Sequence, residues 1–227
     1  MSRLNSKFDP HSMKLVIFDL DGTLVDSRVD LVNSVNAMLR HFDRRELPGD
    51  VVASYVGDGV SMLVRRALGE PEDEGLFQAA VECFLAYYRE HKLDHTEVYA
   101  GIPEALDKIR SNGGRRTLAV LSNKPVHPAR AIVEALGLGR FFLRVYGGNS
   151  FETKKPDPLG VHTLLEETGT AAEHAMIIGD SSIDMLTGRN SRISTCGVTY
   201  GFAPHTLCEV PPDVVVDSPK QLGELFQ

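Results

Sequence analysis

The sequence predicts an α/β protein: a doubly wound parallel sheet with a helical segment inserted near its start. Short apolar runs that contain β-branched residues recur along the chain, and segments with helical spacing separate them. Strands buried on both faces form continuous apolar runs, and their alternation with helices is typical of a parallel sheet. A length of 227 residues and a hydrophobic fraction of 42% are sufficient for a buried core of this kind.

Six strands and four of the helices that connect or follow them are predicted from these runs. The strands are KLVIF (14–18), TLAVL (117–121), FFLRVYG (141–147), AMIIG (175–179), ISTCGV (193–198) and DVVVD (213–217). The helices are Pro125–Leu136, Pro158–Thr168, Ile183–Asn190 and Pro219–Phe226. Parallel strands need crossover connections, and helices of this length are the usual form of such a connection.

Residues 28–96 interrupt the alternation because they contain no strand-like run. The segments LVNSVNAMLRHF, GVSMLVRRAL and EGLFQAAVECFLAYYREH have helical spacing, and turn signals at LPGD, VGDG and GEPED divide the stretch into about four helices. A loop this long is not expected to be bare in a compact domain. We therefore predict a Rossmann-like core of residues 1–26 and 97–227 and a helical cap domain of residues 27–96.

The charge balance restricts the partners of the protein. A net charge of −7 and a pI near 5.6 argue against nucleic acid or an anionic membrane, because each would need a sustained basic surface. An anionic ligand must then be bound by individual cations, and the candidates are Lys124, the pair Lys154 and Lys155, and the pair Arg65 and Arg66. A homodimer is left open.

The cysteine pattern and the lack of long apolar segments predict a cytoplasmic protein. Cys83, Cys196 and Cys208 are odd in number and lack a C-x-x-C spacing, so they predict neither a disulfide framework nor a zinc site. No segment approaches the roughly 18 consecutive apolar residues of a membrane span. The polar start MSRLNSKFDPHS lacks the apolar middle of a signal peptide.

Polar side chains follow three of the predicted strands, at the point where each strand ends. In open parallel sheets, ligands bind outside the carboxyl ends of the strands. The loop ETKKPDP, which follows a fourth strand, adds a lysine to the same edge. The residues expected to converge there are Asp19, Asp21, Ser122, Asn123, Lys155 and Asp180.

The chemistry of this edge favours Mg²⁺ and a phosphate ester. Asp19, Asp21, Asp180 and Asp184 offer hard oxygen ligands without imidazole or thiolate, which favours Mg²⁺ over zinc or copper. A lysine and a hydroxyl at the same edge can hydrogen-bond phosphate oxygens. A carboxylate that approaches a phosphate charge to about 4 Å costs about 4 kcal/mol at an effective dielectric of 20. A divalent ion and one lysine offset that repulsion.

Several of these residues also have ordinary structural interpretations. Asp180 and Asp184 suit a helix start as capping and first-turn charges, which does not preclude metal binding. Lys154, unlike Lys155, does not directly precede proline and is predicted to be a surface charge. His91 and His95 have the i, i+4 spacing of a metal pair but lack a third ligand nearby, so a surface role is favoured. Arg65 and Arg66 suit the charged face of an amphipathic helix, with substrate-carboxylate binding as the alternative.

Four segments together carry a family resemblance that covers nearly the whole chain. DLDGTLVDS, the strand ending in LSN, the loop KKPDP and GDSSID resemble, in that order, the four motifs of the haloacid dehalogenase superfamily. The helical insertion is similar to the first cap class of that superfamily. YVGDGVSMLVRRAL, VYAGIPEAL, LSNKP and GNSFETKKPDP resemble most the bacterial phosphoglycolate phosphatases within it.

The resemblance implies a role for each motif residue. Asp19 is implied as the nucleophile that forms an aspartyl phosphate, and Asp21 as the general acid and base. Ser122 and Lys155 are implied to stabilise the transferring phosphoryl group. The implied Mg²⁺ ligands are Asp19, the backbone carbonyl of Asp21, and Asp180, with support from Asp184.

Five further residues are expected to contact the substrate or shape its site. Gly22 permits a sharp turn after the aspartate pair, Thr23 can hydrogen-bond nearby, and Asn123 follows the second motif. Asp58 and Gly59 belong to a loop that matches the substrate-facing cap loop of the family. A plain turn between helices is an equally good interpretation of that loop.

The function predicted is Mg²⁺-dependent hydrolysis of a small phosphorylated metabolite, with 2-phosphoglycolate as the leading substrate. Other small phosphates and pyrophosphate stay open as substrates. Asp21 argues against a dehalogenase, which lacks the second aspartate. Leu31 stands where sugar phosphomutases place a histidine, and residues 28–90 lack the cap lysine of phosphonate hydrolases. A phosphometabolite-binding protein without activity is the remaining alternative.

Overall fold

The computed structural model describes residues 9–111 and 116–227, so the first eight residues of the polar start lie outside it. The described residues form a six-stranded parallel sheet flanked by helices and a two-stranded antiparallel ribbon. The strands are β1 (Leu15–Phe18), β2 (Val25–Asp26), β3 (Glu97–Val98), β4 (Thr117–Leu121), β5 (Arg144–Tyr146), β6 (Ala175–Gly179), β7 (Ser194–Val198) and β8 (Val214–Val216). The helices are α1 (Arg28–His41), α2 (Gly49–Ser54), α3 (Val60–Ala67), α4 (Glu74–His91), α5 (Ile102–Ser111), α6 (Val126–Ala135), α7 (Leu159–Thr168), α8 (Ser182–Ser191) and α9 (Pro219–Glu224).

The order of the sheet, β5-β4-β1-β6-β7-β8, confirms the predicted doubly wound α/β class. The chain winds from β1 to β4 and β5 on one side, and β6, β7 and β8 follow on the other. The winding therefore reverses next to β1, and the carboxyl end of β1 is the switch point at which open α/β sheets bind ligands. Each strand of the six-stranded sheet lies within its predicted run, although β5 is shorter than its run, whose first residue belongs to the 3₁₀ turn Gly139–Phe141.

Alternate residues of β1 fill two apolar layers, one on each face of the sheet. Val16 and Phe18 pack with residues of α5, α6 and α9, whereas Leu15 and Ile17 pack with residues of α7. All four side chains are fully buried. Burial of each stabilises the fold by roughly 1.5–3 kcal/mol. The burial of β1 on both faces therefore fixes the position of the residues that directly follow it.

A short ribbon joins the sheet to the helical insertion. In β2 and β3, Val25 pairs with Val98 and Asp26 pairs with Glu97. Two residues per strand are too few for an alternation pattern, so the sequence did not predict this ribbon. The pairing places the entry and the exit of the insertion side by side.

Four helices, α1 to α4, lie in the insertion, which matches the predicted number. Their buried faces share an apolar cluster that includes Leu31, Val35, Met38, Leu39, Phe77, Phe84 and Tyr88. Among the described residues, α4 is the longest helix. No helix of this part of the chain has the length and apolar character needed to cross a membrane. The exact division into a core and a cap domain stays a prediction.

Candidate active site

Three carboxylates at two strand ends form the centre of the site. Asp19 directly follows β1, Asp180 directly follows β6, and Asp184 lies in the first turn of α8. These residues are buried, and one carboxylate oxygen from each lies within 4.8 Å of the others. A donor set made only of carboxylate oxygens fits Mg²⁺.

Lys155 brings a positive charge to this cluster. Its Nζ lies 2.9 Å from Asp19 Oδ1 and 2.6 Å from Asp184 Oδ1. Burial opposes the charge, but the attraction of Asp184 and Asp19 is larger in sum and raises the pKa of Lys155 above its usual range. Asp184 also accepts hydrogen bonds from Ser181 Oγ at 2.7 Å and from the Ser181 backbone N–H at 3.2 Å, and the backbone bond belongs to a capping box at the start of α8. The helix-capping role predicted for Asp184 therefore coexists with its place in the cluster.

One lysine does not balance three buried carboxylates. Burial raises the pKa of Asp19 to about 6, although the charge of Lys155 opposes the rise. Burial and the charges of Asp184 and Asp19 raise the pKa of Asp180 to about 8. Two backbone N–H groups of the loop after β7 donate to Asp180 Oδ2, at 2.5 and 3.1 Å, and do not cancel the rise. A bound divalent cation would relieve this repulsion, which supports the fit of the cluster to Mg²⁺.

Gly22 lets the chain after β1 pass close to Asp180. Its φ is +80°, and a Cβ at this position would lie 2.3 Å from Asp180 Oδ2. Only glycine combines this conformation with this approach. Thr23 is fully buried, and its carbonyl accepts a hydrogen bond from Tyr200 Oη at 3.1 Å. Neither Gly22 nor Thr23 lines the cavity of the site, so their contact with substrate stays a prediction.

Asp21 faces a second set of partners. Its carboxylate accepts hydrogen bonds from Ser27 Oγ at 2.5 Å and from Lys124 Nζ, which lies 2.9 Å from both oxygens. Its side chain does not belong to the three-carboxylate cluster found among the described residues. This placement is compatible with a metal ligand at the Asp21 backbone and proton transfer at the side chain.

Lys124 was not predicted as a site residue, although the sequence singled it out as a candidate cation. It is 6% exposed and lines the cavity beside Asp21. Its position directly after Ser122 and Asn123 was the available signal. That signal did not identify its partners, because the pairing with Asp21 depends on β1 and β4 lying side by side.

Asn123 connects three loops. Its Nδ2 donates to the Gly57 carbonyl of the insertion and to the Lys155 carbonyl, each at 3.0 Å. Ser122 precedes it at the end of β4 and also lines the cavity. The side chain of Asn123 thus fixes the loop that carries Lys155 and holds the insertion against the sheet.

The loop 56–59 of the insertion closes over the site through its backbone. Gly59 has a φ of +86°, and a Cβ there would lie 3.1 Å from the Asn123 carbonyl oxygen. Asp58 points its carboxylate to Arg66, 2.6 Å away, while Lys154 Nζ donates to its carbonyl. The cavity is lined by the two glycines of the loop and not by Asp58, so substrate binding by the Asp58 side chain stays a prediction.

The cavity at the switch point is small in this closed arrangement. Its volume is about 30 Å³. We expect substrate entry to involve a movement of the loop 56–59 or of the insertion. The lining residues include Asp19, Asp21, Ser122, Asn123, Lys124, Asp180 and Phe202.

Other candidate residues lie apart from this cavity. His91 Nδ1 lies 2.8 Å from Asp94 Oδ2 at the exposed end of α4, and the described residues contain no metal-ligand cluster with His91 or His95. Arg65 pairs with Glu74 at 3.2 Å. These contacts agree with the surface roles favoured by the sequence.

The fold and the site define a class of protein: an enzyme of the open α/β type whose acidic centre lies at the switch point, beneath an inserted helical unit. The family model described as haloacid dehalogenase-like hydrolase matches residues 16–198. The chain belongs to that family.

Known relatives and a solved structure agree with this membership. Phosphoglycolate phosphatase 1 from Pseudomonas aeruginosa is 34% identical over 98% of this chain and 83% of its own length. A phosphoglycolate phosphatase from Agrobacterium fabrum is 36% identical over 89% of this chain and 88% of its own. A crystal structure of a predicted phosphoglycolate phosphatase from Haemophilus somnus has a TM-score of 0.88 and 28% identity, covering 95% of this chain and 99% of that chain.

Proposed function

We propose that this enzyme is a phosphatase that hydrolyses 2-phosphoglycolate through an aspartyl phosphate, with Mg²⁺ as its cofactor. The observation that carries the proposal is the buried cluster of Asp19, Asp180 and Asp184 with Lys155 at the switch point. The names of the relatives from Pseudomonas aeruginosa and Agrobacterium fabrum support the substrate.

The reaction has two steps, in which Asp19 is the nucleophile and Asp21 transfers the protons. Asp19 attacks phosphorus, so that a carboxylate oxygen–phosphorus bond forms and the ester oxygen–phosphorus bond breaks. Asp21 donates a proton to the departing oxygen, and glycolate leaves as the alcohol. Asp21 then accepts a proton from the water that attacks the aspartyl phosphate, which regenerates Asp19 and releases phosphate.

The positive groups of the site would stabilise the phosphoryl group during both steps. Lys155 already lies 2.9 Å from Asp19 Oδ1, so it can contact a phosphoryl oxygen next to the attacking atom. Mg²⁺ would be held by Asp19, Asp180 and the Asp21 carbonyl, with Asp184 in support, and would supply charge that offsets the repulsion between carboxylate and phosphate.

Two alternative functions have less support. Leu31 is 5% exposed and packs inside the apolar cluster of the insertion, where it takes no part in proton transfer, so a sugar phosphomutase is disfavoured. A binding protein without activity would have no need for Asp19 and Asp21 in one cavity with Lys155 next to Asp19. Another small phosphate or pyrophosphate remains the runner-up substrate.

The test is phosphate release from a panel of small phosphate esters and pyrophosphate, with Mg²⁺ and with EDTA. Mg²⁺-dependent release that is fastest from 2-phosphoglycolate is the expected result. Faster release from another compound would refute 2-phosphoglycolate as the substrate but would still support the phosphatase chemistry. No release from any compound would leave the binding protein as the better explanation.

A further inference from the structure

A second buried lysine lies on the Asp21 side of the cavity, away from the carboxylate cluster. Lys124 Nζ lies 2.9 Å from both oxygens of Asp21, and Asp21 is its only acidic partner among the residues that the structure describes. The ammonium group of Lys124 thus lies in the wall of the cavity, paired with one carboxylate.

The helical insertion contacts Lys124 through Tyr88 of α4. Lys124 Nζ lies 4.7 Å from the centre of the Tyr88 ring of α4, in a cation–π contact. Tyr88 is 3% exposed, so its side chain is packed beside Lys124 in the interior of the protein. Burial raises the pKa of Tyr88 to about 12.

The position of Lys124 determines which part of a substrate it can meet. In the proposed reaction, Asp21 protonates the departing oxygen, so the organic part of the substrate begins next to Asp21. In 2-phosphoglycolate, one CH₂ group separates that oxygen from a carboxylate. A buried ammonium group beside Asp21 is thus placed where the carboxylate of such a leaving group would lie, and a neutral leaving group would offer it no charge.

We propose that Lys124 is a specificity-determining residue that binds the carboxylate of the leaving group, and that Tyr88 holds Lys124 in place when the insertion is closed. This inference rests on the proposed function. The ligand class is a phosphate monoester whose alcohol carries a carboxylate close to the ester oxygen. A purely structural ion pair would not need to line the cavity, whereas Lys124 does so.

The test compares two substrates of equal chain length, 2-phosphoglycolate and 2-hydroxyethyl phosphate, on the wild type and on Lys124→Met. Lys124→Met is expected to lower kcat/KM for 2-phosphoglycolate by about 100-fold, since it removes one partner of a buried charge contact. Both esters share any cost of losing the contact between Lys124 and Asp21, so the measured quantity is the ratio of their kcat/KM values, which should fall by at least about tenfold in Lys124→Met. Lys220→Met is the matched control, because the Lys220 side chain is 81% exposed, and it should leave both values unchanged.

An equal loss for both esters would overturn the proposal, because it would show that Lys124 acts only through Asp21 or through the fold. No loss for either ester would overturn it as well. Lys124→Arg keeps the cation and is expected to retain more of the preference for the carboxylate than Lys124→Met. If Lys124→Met does not fold, Lys124→Gln takes its place, and a Lys124→Gln variant with no change in the ratio between the two esters would contradict the proposal.

The same panel separates this inference from the proposed function when it includes 2-phospholactate and 3-phosphoglycerate. A wild type that prefers one of these esters would refute 2-phosphoglycolate as the substrate. Lys124→Met should then still lower hydrolysis of that carboxylate-bearing ester selectively. A wild type that hydrolyses only phosphate esters of uncharged alcohols would overturn both proposals.

Discussion

Asp19 is the residue on which the proposed chemistry depends most directly. Asp19→Asn removes the nucleophilic oxygen while keeping nearly the same volume, so we expect phosphate release to fall by at least about 1000-fold. The fold should persist, because the change also removes one of three crowded carboxylates. Circular dichroism and a phosphate assay would check both points. Activity within tenfold of the wild type would refute the nucleophile assignment.

Lys154 and Lys155 are adjacent in sequence but differ in burial and contacts, so variants of the two residues can be compared directly. Lys155 is 4% exposed and contacts two carboxylates, whereas Lys154 is exposed and donates to a backbone carbonyl of the insertion. Lys155→Met should lower kcat by about 100- to 1000-fold, because it removes the charge beside the attacking carboxylate. Lys154→Met should lower it by less than about threefold. Steady-state kinetics of the two variants would measure the contrast, and equal losses would contradict it.

Site residues that directly follow a strand could be predicted from the sequence. Site residues whose role depends on contacts between distant segments could not. Asp19 and Asp180 lie where their apolar runs stop, so their meeting at one edge follows from a parallel sheet. The cation–π contact of Lys124 with Tyr88 could not be predicted, because it depends on how α4 rests against the end of β4. The orientation of Asp58 toward Arg66 was not predictable for the same reason.

At the level of elements, the loop 56–59 offers a test of closure. Gly57 and Gly59 both have positive φ values, but a Cβ at Gly57 meets nothing within 4 Å, whereas at Gly59 it would press on the Asn123 carbonyl. Gly59→Ala should therefore lower kcat/KM by about tenfold, and Gly57→Ala by about twofold, with similar losses of stability from backbone strain. Kinetics and thermal unfolding of both variants would check this. A larger kinetic defect in Gly57→Ala would contradict the closure assigned to Gly59.

Helices and sheet strands of ordinary length were predictable, and short pairings were not. The six sheet strands each bury a continuous apolar run, and the four helices of the insertion carry helical spacing between turn signals. The ribbon of β2 and β3 has two residues per strand, and its pairing joins segments that are distant in sequence. Only the folded chain reveals it.

For the molecule as a whole, the carboxylate cluster predicts a pH-dependent stability without metal. The pKa of Asp180 is raised to about 8 and that of Asp19 to about 6, whereas an unfolded aspartate has a pKa near 3.9. The folded state then binds more protons than the unfolded state between about pH 4 and pH 8, so its stability falls as the pH rises through that window. Thermal unfolding in EDTA from pH 5 to pH 8.5 would measure the decline.

Mg²⁺ should oppose this decline, because it binds the ionised carboxylates. The rise in Tm on addition of Mg²⁺ should be larger at pH 8 than at pH 5. Asp180→Asn is the control, since it removes the group with the largest rise in pKa and should flatten the pH dependence in EDTA. A stability in EDTA that rises steadily from pH 5 to pH 8, in the wild type but not in Asp180→Asn, would contradict the prediction.

The ribbon of β2 and β3 has a consequence for how such an enzyme can change its substrate. The chain leaves the sheet and returns to it through two paired strands, so the ends of the inserted segment are neighbours. A different insertion with adjacent ends could replace it without moving the strands that carry Asp19 and Asp180. An exchange of this kind would renew the contacts that the insertion makes over the cavity, whereas Lys124 would stay with the sheet. We expect an insertion grafted between Asp26 and Glu97 to leave the paired ends in place, because Asp26 and Glu97 are neighbours across the ribbon.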